Sequence, residues 1–190
     1  MRRCAYFVSV LVLLISQLAH PRDQDWKHYK NQRWGFCVAY PRGWLHNEGI
    51  NKAGISVYPE QDGPGANWSD ISVGALLVSR AADGHLPTVQ ENFAGVDKTR
   101  REMGATDLVV IDEHETAIDN HSAVFRKVTY KDSAGLIWMD ETIAFQTPDG
   151  LGYALELKSH PLDVAKLEPI FNAVIRTFRI DCVRRGKRSD

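Results

Sequence analysis

Trp34-Gly35-Phe36-Cys37-Val38-Ala39-Tyr40-Pro41-Arg42-Gly43-Trp44 is the stretch on which the fold turns. From 34 to 40, bulky and small side chains alternate, the period-two signature of a strand with one buried face. Pro41-Arg42-Gly43 then halts the run. Proline withholds a ladder N–H and glycine opens the turn, so Trp44 starts a returning segment.

The same grammar repeats downstream. Residues 54–58 (Gly-Ile-Ser-Val-Tyr) form a short strand ended by Pro59, and 71–79 form a longer apolar one. Residues 106–118 start as Leu108-Val109-Val110-Ile111 and then turn polar. In 123–131, Val124, Arg126, Val128 and Tyr130 face one way, while Phe125, Lys127 and Thr129 face the other. Strands at 136–146 and 152–158 complete a meander through turns at Asp132-Ser133-Ala134-Gly135 and Thr147-Pro148-Asp149-Gly150. Residues 60–67 make a Gly/Pro loop. Two helices interrupt this pattern. Residues 88–103 carry Val89, Phe93, Val96 and Met103, with Gly104 as a stop, and 162–178 carry a wide apolar stripe that includes Leu162, Leu167, Phe171, Val174 and Phe178. The element order predicts an α+β fold: an antiparallel β-sheet sandwich with two packed helices.

Composition agrees with one globular domain. The 190 residues hold 23 Lys+Arg and 24 Asp+Glu, with 44% hydrophobic and 25% charged residues. That excludes wholesale disorder, collagen-like repeats and a multi-span membrane protein. Near-neutral charge argues against a nucleic-acid partner held by electrostatics.

The N-terminus reads as a signal peptide over residues 1–19. Arg2 and Arg3 precede the apolar run Ala-Tyr-Phe-Val-Ser-Val-Leu-Val-Leu-Leu-Ile-Ser-Gln-Leu-Ala, shorter than the ~20 apolar residues of a membrane span. Cleavage after Ala19 is expected, with an uncleaved anchor as the alternative. A linker over 20–28, a domain over 29–182 and a basic tail over 183–190 follow. Cleavage carries Cys4 away and leaves Cys37 and Cys182, an even pair that an oxidising compartment is expected to join as a disulfide. Such a bridge encloses most of the mature chain and is worth roughly 5 kcal/mol on the chain-entropy model. The expected location is therefore periplasmic or secreted.

The residues also resemble a known family. Tyr29-Lys30-Asn31 together with Trp34-Gly35-Phe36 through Tyr40-Pro41-Arg42-Gly43-Trp44 is similar to the opening of PsbP-like and DcrB-like proteins. Leu167-Glu168-Pro169-Ile170-Phe171 through Thr177-Phe178-Arg179 is similar to their closing helix. The resemblance covers roughly residues 29–180 and implies an α-β-α sandwich serving as an exported binding or assembly module rather than an enzyme. Photosynthetic members assist a manganese–calcium cluster, and no residue of this chain can be matched to that role.

Candidate sites are few. Asp112, His114 and His121, near a strand end, form a weak metal-ligand set, set against the alternative of a solvated polar edge. No nucleophile elbow surrounds any Ser, and the adjacent carboxylates Asp140 and Glu141 point to opposite faces of a strand. No catalytic residue and no cofactor is expected. Of the five Trp, Trp34, Trp44 and Trp138 read as core, while Trp26 and Trp68 are candidates for partner contacts. Arg184, Arg185, Lys187 and Arg188 could bring the tail to an anionic lipid surface, so any membrane contact is transient, through the signal peptide, or weak, through the tail. Asn67-Trp68-Ser69 and Asn120-His121-Ser122 match the glycosylation sequon, relevant only in a eukaryotic secretory route. The reading is an exported accessory module that binds an unidentified protein or small molecule. A metal-dependent or hydrolytic enzyme and a structural envelope protein are the alternatives.

Overall fold

A computed structural model describes residues 25–49, 52–59 and 69–182. Residues 1–19, expected to be a signal peptide, together with Trp68, the 60–67 loop and the basic tail, lie outside the described residues. In chain order the elements are β1 (Trp26–Asn31), β2 (Phe36–Pro41), β3 (Trp44–Glu48), β4 (Gly54–Pro59), β5 (Asp70–Leu77), α1 (Val89–Glu102), β6 (Thr106–Ile118), β7 (His121–Lys131), β8 (Ile137–Gln146), β9 (Leu151–Ser159), α2 (Val164–Thr177) and β10 (Arg179–Ile180). They build an antiparallel seven-stranded sheet, β3-β4-β5-β9-β8-β7-β6, and a three-stranded sheet, β1-β2-β10. The expected α+β sandwich is what forms.

The opening stretch behaves as a hairpin, with one shift. Trp34 and Gly35 belong to the β1–β2 turn, where Gly35 adopts φ 73° and Asn31 Oδ1 accepts from the Trp34 N–H. Residues 26–28, assigned to a linker by sequence, are the first half of β1: Trp26 pairs with Pro41 and Lys27 with Tyr40. Asn31 also donates through Nδ2 to the Lys52 carbonyl at 2.9 Å, tying this turn to the start of β4. There Gly54 is obligatory. A Cβ at that position would stand 2.2 Å from the Val73 carbonyl oxygen of β5.

One face of the large sheet is the core. Ile71, Val73, Phe145, Leu155 and Leu157 meet Phe36 and Val38 of β2 and Leu167, Phe171, Val174 and Phe178 from α2 and its end. This burial on α2 is the stripe read from the sequence, less its first member: Leu162 is 96% exposed and precedes the helix. Phe36, Phe145, Tyr153 and Phe178 pack edge-on and face-on at 5.1–6.3 Å between ring centroids. The Cys37–Cys182 disulfide clasps β2 to the chain just past β10, across a separation of 145 residues. Among the described residues no helix is long and apolar enough to cross a membrane.

Helix α1 covers the opposite face. Thr88 caps it in a full capping box: Thr88 Oγ1 accepts from the Glu91 N–H at 3.1 Å, and Glu91 Oε2 accepts from the Thr88 N–H at 2.7 Å. Its apolar positions bury less than the spacing suggested. Phe93 is buried, but Val96 and Met103 are 45% and 74% exposed. The helix therefore does not close onto the sheet as α2 does.

Candidate functional site

The reason α1 stands off is written in the strands beneath it. On β9 the side chains alternate strictly: Leu151, Tyr153, Leu155 and Leu157 enter the core, leaving Gly152, Ala154, Glu156 and Lys158 for the α1 side. The antiparallel register sets Ala144 of β8 opposite Ala154, and Thr142 opposite Glu156. Gly74 of β5 lies opposite Ala154 on the other flank. A floor of Gly and Ala leaves volume that Phe93 and the half-buried Val89 do not fill.

The result is a groove of about 590 Å³ between α1 and the sheet. Leu76, Val78, Val89, Phe93 and Val96 line one end, and Arg100, Arg126, Thr142 and Glu156 line the other. At the apolar end Gln146 Oε1 is buried with no hydrogen-bond partner among the described residues. Ligand pockets of this size, mostly apolar with a few placed polar groups, suit small molecules.

The polar end is a network of ions. Arg100 Nη2 donates to Asp140 Oδ2 and lies 3.3 Å from Glu156 Oε1, while its Nη1 is 3.7 Å from Asp97 Oδ1. Arg126 Nη2 donates to Asp97 Oδ2 at 2.6 Å, and its Nε pairs with Glu113 Oε2 at 2.9 Å. Arg100 stacks on Tyr130 and Arg126 on Phe93, at 5.0 and 5.1 Å. Because Asp97 and Arg126 are almost fully buried, each needs the other to offset its desolvation.

Glu156 is the least settled member. Burial first, and the charge of Asp140 second, push its carboxyl up to about 7. Burial raises Asp140 as well, and Arg100 opposes the rise. Tyr130 is pushed well above the usual phenol range by burial and by Asp140. Beside this pair, on β5, burial raises Asp70, which accepts from Ser72 Oγ at 2.8 Å.

The sequence-derived candidates fall elsewhere. Asp112 and His114 do share a face of β6, with Nδ1 3.2 Å from Oδ1, but His114 then stacks on Phe125 at 5.0 Å. His121 sits at the hairpin opposite Ile118, stacked on Phe145 at 5.0 Å. Among the described residues no three His, Cys, Asp or Glu gather as a metal site. Asp140 and Glu141 do diverge: Asp140 meets Arg100, and Glu141 pairs with Lys127 Nζ on the core side. Trp138 is core, 1% exposed, with Lys158 Nζ 4.2 Å from its ring centroid and His160 stacked on it. Trp26, expected at partner contacts, is partly buried and packs against the core, as Trp34 and Trp44 do. The pairing of Asp140 with Glu156 was not read from the sequence. It needed the β8–β9 register, which alternation on each strand does not fix.

No protein-family model matches the sequence, and no curated protein matches it either. Solved structures do. Cyanobacterial PsbP (CyanoP) from Synechocystis superposes with a TM-score of 0.58 at 12% identity, covering 83% of this chain and 93% of that one. The chain has a PsbP-like fold. LpqN of Mycobacterium tuberculosis, a protein involved in cell envelope biogenesis, aligns with a TM-score of 0.52 at 12% identity over 84% of this chain and 93% of its own. A Bacteroides thetaiotaomicron protein aligns with a TM-score of 0.51 at 13% identity over 86% of this PsbP-like chain, and over 50% of its own length.

Proposed function

We propose that this PsbP-like protein is an exported, non-catalytic binding module of the cell envelope, and that its ligand site is the groove under α1. The observation that carries the reading is the 590 Å³ space itself: a capped helix held over Ala144, Gly152 and Ala154, with an apolar end and an ionic end. A shape of that kind fits a small amphiphile better than a reaction centre. Both arginines are held by carboxylates.

Export rests on other features. Residues 1–19 read as a cleaved signal peptide ahead of the domain that β1 opens at Trp26, and the Cys37–Cys182 disulfide fits an oxidising compartment. The likeness to LpqN, with its envelope role, is consistent with the same setting.

The test is binding of N-phenyl-1-naphthylamine, a neutral dye that brightens in apolar surroundings. Wild type is expected to bind it saturably. Ala154→Leu, which fills the floor, is expected to weaken it at least tenfold while the fold, followed by far-ultraviolet circular dichroism, persists. Unchanged binding in Ala154→Leu would remove the groove as the site.

A further inference from the structure

The ionic end of the groove has a charge imbalance that selects a ligand head group. Arg100 and Arg126 face Asp97, Glu113, Asp140 and Glu156, so two guanidinium charges meet four carboxyls. Each guanidinium is already held by at least two of those carboxyls, so neither is poised to clamp an anionic ligand. Lys158, whose amine lies over Trp138, stands opposite both Asp70 and Asp140 and acts on Glu156 as well, so with it three cations meet five carboxyls and the negative surplus stays. Glu156 is the carboxyl that reaches the groove. It lines the cavity, is 36% exposed into it, and holds Arg100 only at 3.3 Å, whereas Asp140 is 1% exposed and takes the closer contact.

We propose, building on the groove reading above, that the ligand is a single-chain amphiphile with a protonated amine head, its chain along Val89, Phe93 and Val96 and its ammonium beside Glu156. Several observations converge on this. The floor from Glu156 to Gly152 runs roughly 13 Å at the rise of a strand, enough for a medium alkyl chain. The surplus of negative charge lies at one end of that floor. An ammonium there donates to the Glu156 carboxylate and supplies the charge that the two arginines lack, in a partly dry setting where such a bond is about twice as strong as a neutral one. An anionic head would face Asp140 and Glu156 instead.

Protonation adds a linkage. The groups facing Glu156 are Asp140 on β8, Arg100 on α1, Tyr130 on β7, Asp70 on β5 and its own-strand neighbour Lys158. Their balance leaves Glu156 titrating near 7. An alkyl amine stays protonated to about pH 10. Its affinity should therefore rise between pH 6 and pH 8 as Glu156 releases its proton.

Calorimetric titration of the full mature protein with octylammonium, octanol and octanoate at pH 8 tests this. The expected result is octylammonium about tenfold tighter than octanol, and octanoate weaker than both. In Glu156→Gln the ratio of octylammonium to octanol affinity should fall to near one, with near-ultraviolet circular dichroism confirming that the variant is folded. Equal affinities for the three probes, a preference for octanoate, or a preference that survives Glu156→Gln each overturn the head-group assignment while leaving the groove standing. If none of the three binds, the groove reading falls with it.

Discussion

Replacing Glu156 by Gln should make this protein more stable above neutral pH, a direction opposite to that of most charge-removing changes. The carboxyl titrates near 7 in the folded chain against 4.5 for an unperturbed Glu. Between those values the folded state holds a proton that the unfolded state has released, so stability falls as pH rises through the window. A shift of that size, taken at about 1.4 kcal/mol per unit, gives roughly 3 kcal/mol if the group were fully enclosed. Glu156 is 36% exposed into the groove, and solvent screening reduces that figure to about 1–2 kcal/mol. Gln has the shape of the protonated acid and no charge to desolvate. Wild type and Glu156→Gln should therefore match near pH 4, below both values, and the variant should gain about 1–2 kcal/mol by pH 8. Urea denaturation at pH 4, 5, 6, 7 and 8 reads the difference, with titrations elsewhere in the chain cancelling between the two proteins. A difference that is flat with pH, or that favours wild type at pH 8, would refute the assignment of a raised carboxyl to this strand.

Other changes test the frame around the groove. Asp97→Ala strips Arg126 of its 2.6 Å partner and leaves a buried guanidinium on Glu113 alone, so chemical denaturation should show a loss of about 3–5 kcal/mol. Phe171→Ala, at 1% exposure in the face of α2, should cost about 3–5 kcal/mol in the same assay. Replacing Cys37 and Cys182 together by Ala opens a 145-residue loop and should remove up to about 5 kcal/mol. Reduced wild type should then unfold at the same denaturant concentration as the double variant. Thr88→Ala breaks the capping box and should cost about 1 kcal/mol, seen first as faster amide exchange in the first turn of α1.

Much of the frame was legible because strand periodicity and helix caps are local. The 106–118 strand was read with its observed limits, and the polar–apolar alternation of 123–131 is the pattern that sends Arg126 to α1 and Lys127 to Glu141. The ends of α2 were harder. Leu162 has the right spacing for the buried stripe yet lies in the turn before Asp163, the N-cap. The groove was not legible at all. It depends on which strands lie side by side, and the neighbours of β9 are β8, adjacent in sequence, and β5, about eighty residues away. Ala144, Gly152 and Ala154 are unremarkable alone and make a cavity only in that register. Trp26 is partly buried: β1 pairs with β2 and rests one side of it against the core, a placement that also needed the strand pairing.

The central claim is that the space under α1 is a ligand site, and amide chemical-shift mapping tests it most directly. Titrating the isotopically labelled protein with octylammonium should move resonances of Val89–Glu102, and of Thr142, Ala144, Ala154 and Glu156, while α2 and the β1–β2 hairpin stay fixed. Shifts centred on α2 or on the three-stranded sheet, with α1 unmoved at saturation, would contradict the account.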